Sequence, residues 1–194
     1  MNERTLVLLK TDAVQRALMG EIIHRFEQRG LKIIAMKMVK PNKELAEKHY
    51  PATDQQLIGM GNKTLQAAKE SGKEADIKRI FNSGDAKEIG KILRAWLVDF
   101  LVSGPVVALV IAGHNVVPVV RKICGFTDPA KADVGTIRGD FGHTGIEVWN
   151  IKGSATKNLV HASGNDEEAK YEIGLWFKPG ELIEYKVIHE DHAA

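Results

Sequence analysis

The stretch NLVHASGNDEE, residues 158–168, sets an imidazole, His161, where one element stops and another begins. Asn158-Leu159-Val160 reads as the end of a strand, and Ser163 and Asn165 open a helix whose first turn carries Asp166, Glu167 and Glu168. A strand end beside a helix N-terminus turns backbone amides toward an anion. An imidazole of ordinary pKa ~6.5 is mostly neutral at pH 7 and can act as a nucleophile. The plainer use of such a residue is a solvated histidine at a turn. What argues for more is a set of cations elsewhere in the chain. Lys10 ends the first strand, Arg121 falls in the last turn of a helix with Thr127 just beyond it, and Arg138 stands between two glycines in GTIRGDF, 135–141. Guanidinium groups grip phosphate oxygens in pairs, and small flanking residues allow close approach. Taken together, a nucleophilic histidine and a clamp of Lys10, Arg121, Arg138 and Thr127 point to phosphoryl transfer through a covalent intermediate.

Other stretches are decoys. GMGNKT, 59–64, resembles a phosphate loop, but Asn62 stands where Gly must precede Lys, and PATDQQLI before it is no buried strand. The RGD at 138–140 is an accidental tripeptide in a chain of cytosolic composition. His24, His49, His114, His143, His189 and His192 lack metal-ligand spacing and read as surface or packing residues.

The chain has 194 residues, 44% hydrophobic and 27% charged, with net charge +2. This suits one domain over 1–194, burying roughly 70% of its extended surface. So mild a charge argues for no obligatory nucleic acid or membrane partner. The single Cys124 excludes an internal disulfide framework and fits a reducing, cytoplasmic setting. The start, MNERTLVLLK, lacks the apolar core of a signal peptide, and no apolar run reaches the ~20 residues of a membrane-spanning helix.

Strands are expected at 5–9, 31–39, 104–113 and 159–161, and helices at 13–29 (closed by Gly30), 43–49 (capped by Asn42), 116–123 (capped by Asn115) and 165–177. Setting aside 51–102, the order is βαββαβ, an α+β ferredoxin-like antiparallel sheet with helices on one face. Residues 51–102 read as a helical insertion. Asp85 caps its last helix, on which Ile89, Leu93, Trp96, Leu97 and Phe100 form a stripe for packing on the domain or on a neighbouring subunit. A second insertion, 142–157, reads as an arm, a hairpin or an oligomer contact.

The stretches ERTLVLLKTDAVQRALMGEIIHRFEQRGLKIIAMKM, SGPVVALVIAGHNVV, GFTDPAKADVGTIRGDF and NLVHAS…EEAKYEIGLWFKPGEL, in this order, resemble the nucleoside diphosphate kinase family. The resemblance implies that His161 is the phosphorylated histidine and that Ser163 and Glu172 support it. It implies that Lys10, Tyr50, Arg121, Thr127, Arg138 and Asn158 hold the phosphates and ribose of nucleoside di- and triphosphates. It also implies Mg2+ held mainly by the phosphates and not by protein ligands, ping-pong kinetics, and a homo-oligomer, either a tetramer or a hexamer.

The chain departs from the family pattern at three places. Thr11 and Ala13 stand where the family reads K-P-D-G, Ala162 follows the histidine in place of Gly, and Leu57 and Ile58 lie where the family stacks the base on an aromatic. These departures keep open an inactive nucleotide-binding relative with an assembly or regulatory role. A sheet-surface RNA module is disfavoured, since only 6% of residues are aromatic and the central strands LVLL, IIAM and VVALVI have none.

Overall fold

The computed structural model describes residues 3–188. Four strands, β1 (Glu3–Leu9), β2 (Lys32–Val39), β3 (Val106–Gly113) and β4 (Val160–Ala162), form one antiparallel sheet in the order β2-β3-β1-β4. β1 and β2 thus run parallel on either side of β3, as a split βαβ unit requires. The α+β, ferredoxin-like expectation holds for strand order and direction.

The helices are α1 (Thr11–Gln15), α2 (Met19–Gln28), α3 (Lys43–His49), α4 (Asp54–Ser71), α5 (Glu74–Phe81), α6 (Ala86–Val102), α7 (Val116–Cys124), α8 (Ile137–Phe141), α9 (Ile146–Ile151) and α10 (Asp166–Trp176). Coverage is not limited to one face of the sheet, which corrects the sequence expectation. Val7 and Leu9 face a core with Ile22, Phe26, Val117 and Val120, from α2 and α7. Leu6 and Leu8 face a second core with Ala46, Val98, Leu101 and Trp176, from α3, α6 and α10. The cause is visible in β1 and β3, which are buried on both faces and alternate between the two cores.

Two local expectations change. The helix expected at 13–29 breaks at Ala17, which takes φ 56. Leu18 N–H turns back to Ala13 C=O at 3.0 Å, and α2 starts afresh at Met19. Asn115 does not cap α7 with its side chain. It sits at φ 49, and Glu3 accepts from Val116 N–H at 3.1 Å in its place. The 51–102 stretch is helical and Asp85 caps α6, accepting from Glu88 N–H at 2.9 Å. Of its stripe, Ile89 and Leu93 are buried and Trp96 packs 5.2 Å from Phe81, while Val98 and Leu101 of the same helix join the sheet core.

Gly61 explains part of the GMG decoy. A Cβ there would lie 1.9 Å from Ala86 C=O, and one at Gly90 would lie 2.0 Å from Leu57 C=O. Two glycines let α4 and α6 cross backbone to backbone. The 142–157 stretch is no hairpin: it holds the short helix α9, which packs on α4 and α5.

Candidate active site

β4 is short, but its register decides the site. His161 pairs with Leu8, so it shares the Leu6/Leu8 face on which α3 and α10 pack. α10 carries Glu172, 2% exposed, and α3 carries His49, 4% exposed. His161 Nε2 lies 2.7 Å from Glu172 Oε1, with the ring N–H direction out of line for a hydrogen bond. Ser163 Oγ donates to Glu172 Oε2 at 2.6 Å and accepts from Leu6 N–H at 3.3 Å, which ties the carboxylate to the sheet. Asn165 caps α10 by accepting from Glu168 N–H at 2.9 Å.

His49 is the residue that sequence reasoning missed. Its spacing from other histidines marks it only as a surface or packing residue, yet its ring meets His161 edge-on at 4.4 Å and its Nδ1 lies 3.6 Å from Glu172 Oε1. Trp176 Nε1–H donates to that same Nδ1 at 3.3 Å. The available signal was helical spacing: Ala46 and His49, three residues apart, fall on the buried face of α3.

The backbone before His161 is bent hard. Leu159 has φ 69, and Val160 N–H reaches Asn158 C=O at 2.8 Å, closing a three-residue turn. A leucine in the left-handed region costs about 1–2 kcal/mol, and neighbours hold it there. Lys10 N–H donates to Leu159 C=O at 2.7 Å, and Asp12 Oδ2 accepts from Leu159 N–H at 3.0 Å. Asp12 also escaped the sequence reading.

The expected clamp is partly rearranged. Lys10 Nζ, buried, donates to Asn158 Oδ1 at 2.8 Å, and Asn158 Nδ2 donates to Thr127 C=O at 2.8 Å. Arg138 is 8% exposed, and its guanidinium is spread over three backbone carbonyls. Nε donates to Asn158 at 3.2 Å, Nη1 to Gly125 at 2.7 Å and Nη2 to Val160 at 2.7 Å. It therefore builds the site's floor, whatever else it touches. Its flanking glycines serve the backbone and not ligand approach: a Cβ at Gly139 would strike Asp133 C=O at 2.0 Å, and Gly135 takes φ 88. Arg121 is exposed at the end of α7, with Nη1 3.8 Å from where a Cβ at Gly164 would stand. Tyr50 ends α3 with its ring 4.7 Å from His49.

Charge and burial set the protonation states. Burial pushes the His161 imidazole well below its usual range, and the Lys10, Arg138 and Arg121 cations add to that push. Burial and Arg138 lower the Lys10 ammonium to about 8, against the pull of Asp12. Burial raises the Glu172 carboxyl, against His49 and the Ser163 hydrogen bond. Burial also raises the Tyr50 phenol. The arrangement is a neutral imidazole in a ring of cations, backed by a tethered carboxylate.

Of the departures, Ala13 is 0% exposed inside α1, where a methyl group suits a helix better than Gly. Ala162 packs against the core on the opposite face of β4 from His161. Leu57 is buried against α6 and Ile58 is 40% exposed, so neither restores an aromatic surface.

The family model described as "Nucleoside diphosphate kinase" matches residues 3–58 and 74–182. Its interruption, 59–73, lies within the longer helical stretch. A protein from Pyrobaculum aerophilum named nucleoside diphosphate kinase is 43% identical over 182 residues, spanning 94% of this chain and 98% of its own. The crystal structure of an NDP kinase from that organism superimposes with TM-score 0.89 at 42% identity, over 95% of this chain and all of that one. A nucleoside-diphosphate kinase from Borrelia burgdorferi, with bound vanadate and ADP as a transition-state mimic, superimposes with TM-score 0.78 at 33% identity, over 99% and 96% of the two chains.

Proposed function

Since the chain belongs to the nucleoside diphosphate kinase family and moves the γ-phosphoryl group of a nucleoside triphosphate onto a nucleoside diphosphate, we propose that His161 Nδ1 is the atom that carries the phosphorus. The observation behind this is the contact of Nε2 with Glu172 at 2.7 Å, which leaves Nδ1 as the free nitrogen. Held neutral by burial, the ring keeps its lone pair for attack. A new Nδ1–P bond forms as the bond from the γ-phosphorus to its bridging oxygen breaks, and the nucleoside diphosphate leaves with that oxygen. The ring then becomes cationic, and Glu172, fixed by Ser163, steadies it. The second half-reaction reverses these steps on an incoming diphosphate, giving ping-pong kinetics.

Lys10, Arg121 and Arg138 supply positive charge around the transferring group, whose transition state asks for placement and charge more than covalent help. Thr127, Asn158 and Tyr50 line the same site and are assigned to phosphate and ribose contacts. Among the described residues, the group suited to a metal is His49, His161 and Glu172, with ligand atoms within 4.8 Å of one another. One member of that group is the nucleophile, so the donor set fits a cation carried in on the nucleotide. We assign it as Mg2+, which on phosphate oxygens supplies charge neutralisation.

Among the described residues no helix is long and apolar enough to cross a membrane. We place the enzyme in the cytoplasm, consistent with a free, buried Cys124, and as a homo-oligomer. The support for self-association is β2, an edge strand whose Met36 and Met38 are 59% and 55% exposed. Nothing in the geometry favours an inactive relative, because His161, Glu172 and Ser163 remain in contact despite Ala162.

The test is a labelling experiment. Incubation with ATP radiolabelled at the γ-position should give an acid-labile, base-stable label on the protein, absent from His161→Ala. A folded His161→Ala variant that keeps the label would refute the assignment.

A further inference from the structure

Two stretches that the chemistry does not use, 59–73 and 142–157, meet each other and then meet the loop that carries Thr127. Asn150 on α9 is fully buried and donates Nδ2 to the buried Thr64 Oγ1 of α4 at 3.0 Å. Glu70, near the end of α4, pairs with Lys131 of the 3-10 turn Pro129–Lys131. Lys73, just past α4, lies 4.0 Å from Glu147 of α9.

The junction between this strut and the site is one carboxylate. Asp128 is 2% exposed, and its Oδ1 accepts from two amides: Ala130 N–H at 3.2 Å, opening the 3-10 turn, and Ile146 N–H at 3.1 Å, opening α9. Gly145, at the N-terminal boundary of α9, has no side chain to cap that helix. Asp128 does it from 18 residues away. Thr127, the residue before, accepts at its carbonyl from Asn158, which in turn holds Lys10. A line of hydrogen bonds, one turn of α9 and one peptide unit therefore runs from α4 through Asp128 to the cation of the clamp.

We propose that Asp128 is a positioning residue for the nucleotide-phosphate subsite, anchoring the Thr127 loop to a strut made by α4 and α9. This rests on the assignment of Thr127, Asn158 and Lys10 to nucleotide binding. On this reading the two stretches fix where the phosphates sit and leave the nucleophile alone. The strut should therefore act on nucleotide affinity and not on the chemical step.

The experiment measures steady-state kinetics, calorimetric ADP affinity and melting temperature on the full chain. Asp128→Ala is expected to raise KM and weaken ADP binding roughly tenfold with kcat within about threefold. Asp128→Asn keeps an oxygen for both amides and should restore most of the affinity. Thr64→Val, remote from the nucleotide, should weaken ADP binding roughly threefold alone and add little to Asp128→Ala. A lowered melting temperature with unchanged ADP affinity would make Asp128 a plain structural cap. Fully additive losses in the double variant would overturn the strut. If Asp128→Ala does not fold, Thr64→Val and Asp128→Asn still decide: loss in the first and retention in the second support the proposal, and unchanged ADP affinity in Thr64→Val sinks it. The ADP measurement needs no turnover, so failure of the His161 labelling test would be distinguishable from failure here.

Discussion

Replacing Arg138 by lysine keeps the charge and removes the shape. The guanidinium reaches three carbonyls lying in different directions, those of Asn158, Gly125 and Val160, at 3.2, 2.7 and 2.7 Å. An ammonium on a straight stem can satisfy one of them. At 8% exposure the other two find little water. Each charge-assisted hydrogen bond contributes roughly 1.5–3 kcal/mol, so losing two should destabilise the protein by about 3–6 kcal/mol. For a domain of this size each kcal/mol moves the midpoint by roughly 2–4 °C, which predicts a melting temperature lower by about 6–24 °C. Calorimetry at fixed protein concentration, with and without ADP, reads this directly. A melting temperature within about 2 °C of wild type would refute the view that Arg138 holds the loop up. A role for Arg138 in phosphate contact alone would leave the nucleotide-free melt unchanged, so the experiment separates loop support from phosphate binding.

Three further outcomes follow from the same geometry. Ser163→Ala removes the 2.6 Å hydrogen bond to Glu172, and kcat should fall roughly tenfold to a hundredfold, the equivalent of about 1.4–2.8 kcal/mol, with KM little changed; a kcat within twofold of wild type would show that Glu172 is placed without it. Lys10, depressed to about 8 by burial and Arg138, binds its proton less readily when folded than when unfolded, where its pKa is ~10.4. Folding stability of the nucleotide-free protein should therefore rise with pH across that window, and the rise should shrink in Lys10→Met. ADP affinity should weaken as pH passes 8 in the wild type and change less in Lys10→Met, as titration calorimetry at several pH values can check.

The parts legible in the sequence share one property, that their cause is local. TLVLL and VVALVI are apolar runs with few alternatives to burial in a sheet, and Asn42, Asp85 and Asn165 sit directly before the amides they cap. What was not legible comes from distant partners. Ala17 carries no Gly or Asn to announce its left-handed turn. Glu3 caps α7 from the strand beside β3, and Asp128 caps α9 across a loop. In the site, the resemblance located His161, Glu172 and Ser163, and the structure puts them in contact. The glycines around Arg138 suggest room for a ligand but serve the backbone, and its charge pattern cannot reveal that all three of its nitrogens are committed to main-chain carbonyls. His49 escapes notice because a histidine on an apolar helix face gives no sign of which second ring it will meet.

The tight turn at Leu159 has an evolutionary consequence. Three successive carbonyl oxygens, from Asn158, Leu159 and Val160, are gripped by Arg138 and by the main chain of Lys10. What aims the imidazole is thus main-chain geometry, which every amino acid carries. Position 160 can change among aliphatic residues without moving the ring, position 159 is held to residues that tolerate its left-handed backbone, and Arg138 has no comparable latitude.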